Sequence, residues 1–463
     1  MNSIASALPD LRSTERRALR AAAGAATIAK ELVLPCGAVL SNRLGKAALT
    51  EGLADARNHA TIRHQTLYSR WSSGGAGLVV TGNVQVDRRY LERPGNVVID
   101  GIGGEQALAA YAAAGTRAGN HLWMQINHPG RQTPLHVHPA PPAPSAIPLA
   151  LPGFGIPVAM SEADVLDTIE RFRRVAATAR TAGFTGVQIH AAHGYLISQF
   201  LSPLANQRSD QWGGSLENRA RLLLRIMAAI RSEVGPRFPV SVKLNSADFQ
   251  QGGFTSDECL QVVKWLEDEG VDLLEVSGGT YEQPQMVVAG RSKGRDPLLG
   301  TVRASTLRRE AYFLEYAAAI RQATSVPLMV TGGFRSLAAM DAALRDGLLD
   351  VVGLGRPLIL DPEAPRKLLC GALDRLSAYE QTLLLEPPPG GAADAAGGPA
   401  DMRGWGIQSW FCVQLLRLGD GMEPDPHMSV HAALQRYREN EAQAMRKLGR
   451  TPEKNFSSME RTA

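Results

Sequence analysis

The sequence predicts an α/β protein built on a closed (β/α)8 TIM barrel, with N-terminal and C-terminal extensions. Eight short apolar runs, rich in β-branched residues, alternate with stretches of helical spacing along the 463 residues. Parallel strands need crossovers of a dozen or more residues, and the helical stretches supply them. The eight runs span residues 44–50, 77–82, 122–127, 184–190, 239–245, 271–277, 326–331 and 350–354.

An open doubly wound sheet is the competing topology. Its usual sign is a GxGxxG turn after the first strand, and this sequence has none there. Polar residues instead follow many different strands, at the ends where barrels build their active sites. The barrel is therefore the predicted fold.

The stretch before the fourth strand shows how the helices are predicted. Ser161 with Asp164 is a start signal, because a serine oxygen can accept one of the first free N–H groups of a helix. Apolar residues then recur at helical spacing, while Arg171, Arg173 and Arg180 are expected in water. The predicted buried face consists of Leu166, Ile169, Phe172, Ala176 and Ala179.

Composition restricts the class of partner. Hydrophobic residues make up 44% of the chain and charged residues 20%, as in a globular protein with a large core. The net charge of +4 is spread out, without the basic stripe that nucleic acids require. No apolar run approaches the roughly 20 residues of a membrane span. Four widely spaced cysteines suggest neither a disulfide framework nor a metal cluster, so we expect a cytoplasmic protein that binds a small-molecule substrate.

We divide the chain into an N-terminal extension (1–30), a barrel (31–375) and a C-terminal extension (376–463). The low-complexity stretch 386–400 predicts a mobile linker, since it has little apolar surface to bury. The apolar run 405–418 beyond it is expected to dock on the barrel or on another subunit, which leaves a homo-oligomer open.

A proline-rich run at 139–157 follows the third strand and is longer than an ordinary loop. Two interpretations of it remain open. It is either a lid over the active site or a rigid surface loop.

The most informative residues are His190, His193 and Tyr195, which come directly after the fourth apolar run. Two imidazoles can donate hydrogen bonds to one oxygen, and a phenol beside them can protonate a neighbouring carbon. Reduction of an activated double bond requires these groups.

A metal site is the alternative interpretation of the HxxH spacing. It is the weaker one, because no third ligand follows at a matching distance. The further ligands would come from His128, His136 or His138.

Seven segments, taken in order, resemble the Old Yellow Enzyme family of FMN-containing ene-reductases over residues 31–370. Seven motifs in the family's order are far more specific than one short pattern. The segments are SNRLGKAALTE, LVVTGNVQVD, WMQINHPGRQ, IHAAHGYLISQFLSPLANQRSDQWGGSLENR, VSVKLN, VTGGF and VGLGR. The resemblance implies a barrel that binds FMN and uses NAD(P)H as its hydride donor.

The resemblance also implies a role for each matching residue. His190 and His193 would bind the substrate's carbonyl or nitro oxygen, and Tyr195 would protonate the α-carbon. Lys243 stands where the family has an arginine, so the cation beside the flavin is kept but its bidentate fork is lost. The implied cofactor-binding residues are Ala47, Ala48, Leu49, Thr50, Gly82, Gln125 and Lys243 around the ring, with Gly332, Gly333, Gly355 and Arg356 around the phosphate.

The expected function is hydride transfer from NAD(P)H, through flavin N5, to the β-carbon of an α,β-unsaturated carbonyl or nitro compound. Two related flavoenzymes stay open, an NADH oxidase and a dienoyl-reductase-like enzyme with a different acceptor. A more distant alternative is a cofactor-free barrel lyase in which Lys243 forms a Schiff base. The sequence leaves the natural substrate and the choice between NADH and NADPH open.

Overall fold

The structure is a computed structural model that describes residues 27–282, 313–383 and 400–449. The strands are β1 (Leu32–Val33), β2 (Val39–Leu40), β3 (Leu44–Lys46), β4 (Leu78–Gln85), β5 (His121–Asn127), β6 (Pro142–Ala143), β7 (Val158–Ala159), β8 (Gly186–Ala191), β9 (Val240–Asn245), β10 (Leu273–Ser277), β11 (Leu328–Thr331) and β12 (Val351–Leu354). Eight of them close into a parallel barrel in the order β3, β4, β5, β8, β9, β10, β11 and β12. The predicted barrel is confirmed.

Helices between the strands cover the outside of the barrel, and four more helices follow the last strand within the described residues. They are α1 (Ile62–Ser73), α2 (Glu105–Gly115), α3 (Glu162–Thr181), α4 (Leu196–Leu201), α5 (Leu216–Val234), α6 (Ser256–Asp268), α7 (Leu314–Ala323), α8 (Leu337–Arg345), α9 (Pro357–Leu360), α10 (Ala364–Leu369), α11 (Ala400–Gly419) and α12 (Val430–Lys447). Among the residues described here, no helix combines the length and the apolar character needed to cross a membrane.

Helix α3 begins and packs largely as its sequence predicts. The Ser161 hydroxyl accepts the backbone N–H of Asp164 at 3.2 Å, which confirms the start signal. One predicted core residue is wrong, because Leu166 is 45% exposed and Val165 is buried in its place. Successive helical residues are about 100° apart, so Val165 falls on the stripe shared by Phe172 and Leu166 falls beside it.

The inside of the barrel changes from apolar to polar toward the carboxyl ends of its strands. The apolar floor is formed by Leu78, Val80, Trp123, Leu273, Met329 and Val351, and the residues of the β1–β2 hairpin pack against it. Two residues further along three of these strands, the inward positions hold Gln125, Glu275 and Thr331. The polar mouth of the barrel therefore rests on an apolar floor.

Several strand ends differ from the prediction, and two of the differences matter at the mouth. β3 ends at Lys46, so Thr50 lies in the loop beyond the strand and does not end it. β4 continues past Gly82 to Gln85, with a register shift between Val80 and Asn83. The shift arises because the Gly82 N–H turns away from the sheet and donates to the Glu51 carboxylate at 2.9 Å.

The proline-rich run 139–157 is held down at several points. β6 at its start pairs with β7, which follows its end. Arg131 donates to the carbonyl oxygens of Ile147 and Pro148, and the Ala150 N–H donates to Glu282 at 3.0 Å. The run is thereby tied to the loop after β10, and its role as a lid stays a prediction.

The C-terminal helices α11 and α12 dock on the barrel. α11 contacts α1 and α9, and Trp410 and Phe411 are buried there in the main core cluster. Docking of the 405–418 run on the barrel is therefore confirmed for the residues whose side chains are described. The predicted N-terminal extension up to residue 26 and the predicted linker up to residue 399 lie outside the described residues.

A buried ion pair joins α12 to the loop after β4. The Arg93 and Glu441 side chains are 6% and 9% exposed, and Nε of Arg93 donates to Glu441 at 3.1 Å. The Arg93 guanidinium also lies 5.0 Å from the centre of the Tyr437 ring. Two charges with little access to water stabilise each other only while both are present.

We therefore expect Glu441→Ala to lower the free energy of unfolding by about 3 kcal/mol, because it leaves Arg93 buried and unpaired. Denaturant titration followed by far-UV circular dichroism measures the loss. Glu439→Ala, an exposed position on the same helix, is the control and should change stability by less than about 0.5 kcal/mol. Equal effects of the two variants would contradict the role of the ion pair.

Candidate active site

The predicted substrate residues meet at the end of β8. His190 lies in that strand, and His193 and Tyr195 follow in the turn that leads into α4. His193 has a φ of 64°, which is uncommon for a residue with a bulky side chain. Its backbone N–H donates to the Asn245 side chain at 3.1 Å, and this contact helps to hold the turn in place.

The two imidazoles form a pair of neutral hydrogen-bond donors. Their ring centres are 5.0 Å apart, and the side chains are buried. Burial lowers the pKa of both rings well below the usual range, and the charge of Lys243 lowers each pKa further. Both are therefore uncharged at neutral pH.

Each ring has a protein partner on one of its nitrogens. Nδ1 of His190 accepts the backbone N–H of Ala192 at 3.3 Å, so the proton of this neutral ring lies on Nε2. Nε2 of His193 lies 2.6 Å from the hydroxyl of Ser277. If that hydroxyl donates, the proton of His193 is on Nδ1, and each ring keeps one N–H for a ligand.

Tyr195 stands next to this pair. Its ring centre is 4.8 Å from that of His190, and its hydroxyl lies 2.8 Å from the Tyr281 hydroxyl. Burial raises the pKa of the Tyr195 phenol well above its usual range, and the carboxyl of Glu92 raises it further. The phenol therefore holds its proton at neutral pH and is placed to give it up only to a strong base.

Thr50 belongs to the same cluster. Asn83 donates to the Thr50 hydroxyl at 3.2 Å, and the same amide lies 3.5 Å from the Tyr195 hydroxyl. The loop after β3 is thereby joined to the turn after β8.

Gln125 and Lys243 are joined through a buried network. Gln125 donates to Gln188 at 2.7 Å, and Gln188 donates to the Glu275 carboxylate at 2.9 Å. Lys243 pairs with that carboxylate at 3.0 Å, and Thr331 donates to it at 2.7 Å. The network places one amide and one cation, from different strands, in the layer just below the mouth.

Gly82 is needed because the chain passes very close to a carboxylate. A Cβ atom at this position would lie 2.2 Å from Glu51 and 2.4 Å from the carbonyl oxygen of Leu49. Any side chain would push the loop after β3 away from β4.

Ala47, a predicted cofactor residue, lies below the mouth of the barrel. It is 1% exposed and packs in the apolar floor, and its backbone N–H already donates to Leu354 at 2.9 Å. It has no N–H to offer a ligand because the barrel ladder uses it. Ala48 and Leu49 retain some exposure at the mouth.

The predicted phosphate residues lie where the last two strands end. Gly332 and Gly333, after β11, have φ values of 116° and 86°, which favour glycine. Gly355 and Arg356 follow β12. Burial and the nearby charge of Arg335 lower the pKa of Arg356, while Glu380 opposes them.

These groups fit the FMN that the sequence resemblance implies. The Arg356 guanidinium, next to strand ends whose backbone conformations suit glycine, makes a site that an anion would stabilise. At the ring end, a hydroxyl, an amide and an ammonium suit the donors and acceptors of a flavin. Thr50, Gln125 and Lys243 would hold the ring, and Arg356 with Gly332 and Gly333 would hold the phosphate.

Sequence reasoning missed several residues of this site. Gln188 and Glu275 could have been found from the sequence, because each is a polar residue at an inward position of an otherwise apolar strand. Ser277 follows Glu275 by the same two-residue spacing. Glu92 and Tyr281 lie in loops and belong to no motif.

Comparisons with known proteins cover the barrel. The model of the NADH:flavin oxidoreductase / NADH oxidase family matches residues 37–374. The NADH-dependent flavin oxidoreductase iliE of Hypocrea jecorina (strain QM6a) is 36% identical over 364 residues, covering 73% of this chain and 88% of that protein. The protein of the same name from Neonectria sp. (strain DH2) is 37% identical over 358 residues, covering 73% of this chain and 46% of that protein. This chain thus spans about half of the Neonectria protein.

A solved structure gives the same result for the fold. The old yellow enzyme homologue from Zymomonas mobilis aligns with a TM-score of 0.62 at 25% identity, covering 78% of this chain and 97% of that one. The family match ends at residue 374, before α11 begins at Ala400.

We expect both imidazoles to stay neutral between pH 6 and 8, since their pKa values are lowered and imidazolium forms only at more acidic pH. Nitrogen-15 NMR of histidine-labelled protein should show the proton on Nε2 of His190 and on Nδ1 of His193. In Ser277→Ala, His193 should lose its preference for a proton on Nδ1, while His190 should keep its proton on Nε2. Histidines of the unfolded chain, whose pKa is about 6.5, are the reference. A His193 that titrates with them would contradict this assignment.

Proposed function

Because the chain belongs to the NADH:flavin oxidoreductase / NADH oxidase family, of Old Yellow Enzyme type, we propose that its acceptor is an α,β-unsaturated carbonyl or nitro compound. The chain is an NAD(P)H-dependent oxidoreductase with FMN as its cofactor. The observation that carries the proposal is the pairing of two neutral imidazole donors with a protonated phenol.

The imidazoles bind and polarise the acceptor. Their free N–H groups hold its oxygen, and this draws electron density away from the β-carbon. The chemistry that FMN supplies when bound is transfer of a hydride from NAD(P)H to that carbon. Negative charge then builds on the bound oxygen, where two donors in a buried site stabilise it far better than in water.

Tyr195 completes the addition. The phenol gives its proton to the α-carbon, and Asn83 and Tyr281 hold the hydroxyl in place for that transfer. The raised pKa keeps the proton on the phenol until the carbon has become basic. Protonation thus follows polarisation of the acceptor.

Lys243 is better suited to positioning than to nucleophilic attack. A Schiff base needs an accessible amine, whereas the Lys243 side chain is 6% exposed and lies 3.0 Å from a fully buried carboxylate. Failure of borohydride to trap a substrate on the enzyme would support this view over a lyase. Faster NAD(P)H turnover with enones than with oxygen would favour alkene reduction over an NADH oxidase.

We predict that Tyr195→Phe slows reduction of an enone by about 100-fold, because the proton donor is lost. Reduction of the bound flavin by NAD(P)H should be nearly unchanged, since that half-reaction needs no proton from the phenol. Stopped-flow absorbance of the flavin at about 450 nm separates the two half-reactions. Tyr379→Phe removes a hydroxyl that donates to the Pro426 carbonyl oxygen, away from the mouth, and is the control. Equal losses in both half-reactions would disprove the assigned role.

We also predict that replacing His190 and His193 with Ala weakens binding of a simple phenol by at least about 10-fold, since two charge-stabilising hydrogen bonds are lost. Titration of the oxidised enzyme, followed by its long-wavelength charge-transfer absorbance, measures the dissociation constant. His427→Ala, an exposed position before α12, is the control. Unchanged affinity in the double variant would show that the oxygen binds elsewhere.

A further inference from the structure

A carboxyl group stands behind the two tyrosines of the site. The Tyr195 hydroxyl is 2.8 Å from that of Tyr281, and the Tyr281 hydroxyl is 3.5 Å from Oε1 of Glu92. The three groups form a line that runs from the predicted proton donor to the loop after β4. Glu92 is a partly buried residue, and the line ends at its carboxyl.

The position of Glu92 is held from two sides. Asn96 donates to its Oε2 at 3.4 Å, and the Oδ1 atom of the same amide accepts the backbone N–H of Arg93 at 2.9 Å. Arg93 is fixed in turn by its ion pair with Glu441 of α12. The carboxyl is therefore a fixed group that the described function does not use.

We propose that Glu92 and Tyr281 form a proton relay that restores the proton of Tyr195 after each turnover. The proposal rests on the proposed role of Tyr195 as the proton donor. Tyr281 acts as the intermediate carrier, and Glu92 exchanges its proton with solvent.

The proton count balances at each step. When Tyr195 gives its proton to the α-carbon, the phenolate that remains accepts the proton of the Tyr281 hydroxyl. Tyr281 takes the proton of the neutral Glu92 carboxyl, and the resulting carboxylate is reprotonated by water. One proton enters from solvent for each proton delivered to carbon, and no electrons move along the line.

Burial shifts Glu92 toward its neutral form. Burial raises the pKa of its carboxyl, with Arg93 and Asn96 opposing and Glu441 adding to the rise. Burial also raises the pKa of Tyr195 and of Tyr281, and the Glu92 charge contributes to both. A phenolate at Tyr195 next to a carboxylate at Glu92 is therefore costly, and a proton supplied along the line removes that cost.

The experiment compares Glu92→Gln and Tyr281→Phe in the native chain and in the Tyr195→Phe background. In the native chain, each should slow enone reduction by about 10-fold and leave flavin reduction by NAD(P)H unchanged. In the Tyr195→Phe background, neither should slow enone reduction further, since the relay has nothing left to supply. Glu282→Gln changes a carboxyl next to Tyr281 that pairs instead with Arg131, and it is the matched control.

Chemical rescue separates a proton role from a structural one. Formate added to Glu92→Ala should restore at least half of the lost enone-reduction rate, because a small acid can occupy the space of the missing carboxyl. Flavin absorbance of each purified variant confirms that it is folded and loaded.

The outcomes distinguish the two proposals. If Tyr195→Phe slows enone reduction but Glu92→Gln and Tyr281→Phe do not, the relay is wrong and the role of Tyr195 stands. Additive losses in the Tyr195→Phe background, or no rescue by formate, would also overturn the relay. A Tyr195→Phe variant with unchanged enone reduction would overturn the proposed function itself.

Discussion

The arrangement of the mouth depends on the buried carboxylate of Glu275. It is 0% exposed, and such a charge is tolerated only when its oxygens are fully hydrogen-bonded and a counter-charge is near. Lys243 on β9, Gln188 on β8 and Thr331 on β11 meet this need, and Gln188 also holds Gln125 on β5. One charge thus couples the register of five neighbouring strands. Shifting β8, β9 or β11 by one residue would turn its polar side chain outward and leave the carboxylate without one of its partners.

The buried layer that contains Glu275 and Lys243 also affects the protonation of the histidine pair above it. The Lys243 charge and the scarcity of water both disfavour imidazolium, so each ring is left with a single proton. The Ala192 N–H leaves the His190 proton on Nε2, and the Ser277 hydroxyl is the partner of Nε2 in His193. Neutral donors stabilise charge on an oxygen without readily giving it their protons. The proposed roles follow from this, with the imidazoles binding the oxygen and the phenol protonating the carbon.

Much of the fold and the central residues of the site could be predicted from the sequence, because their signals are local. Strand and helix periodicity, and the cluster of His190, His193 and Tyr195, are contained in short segments. The register shift in β4 could not be predicted, since it depends on a contact between Glu51 and Gly82 that only the folded barrel creates. Glu92 and Tyr281 are 189 residues apart and meet because the loops after β4 and β10 cover the same mouth. No spacing of residues in the sequence predicts this contact.

The C-terminal extension shows why composition alone is a poor guide to functional boundaries. A low-complexity stretch separates it from the barrel in the sequence, and the family match ends before it. In the folded chain, Glu441 of α12 is nevertheless the counter-charge that allows Arg93 to be buried next to Glu92. Without α12, Arg93 would regain water by moving outward, and the loop that carries Glu92 would move with it. The helices beyond the barrel therefore belong to the support of the active site as much as the strands that form its walls.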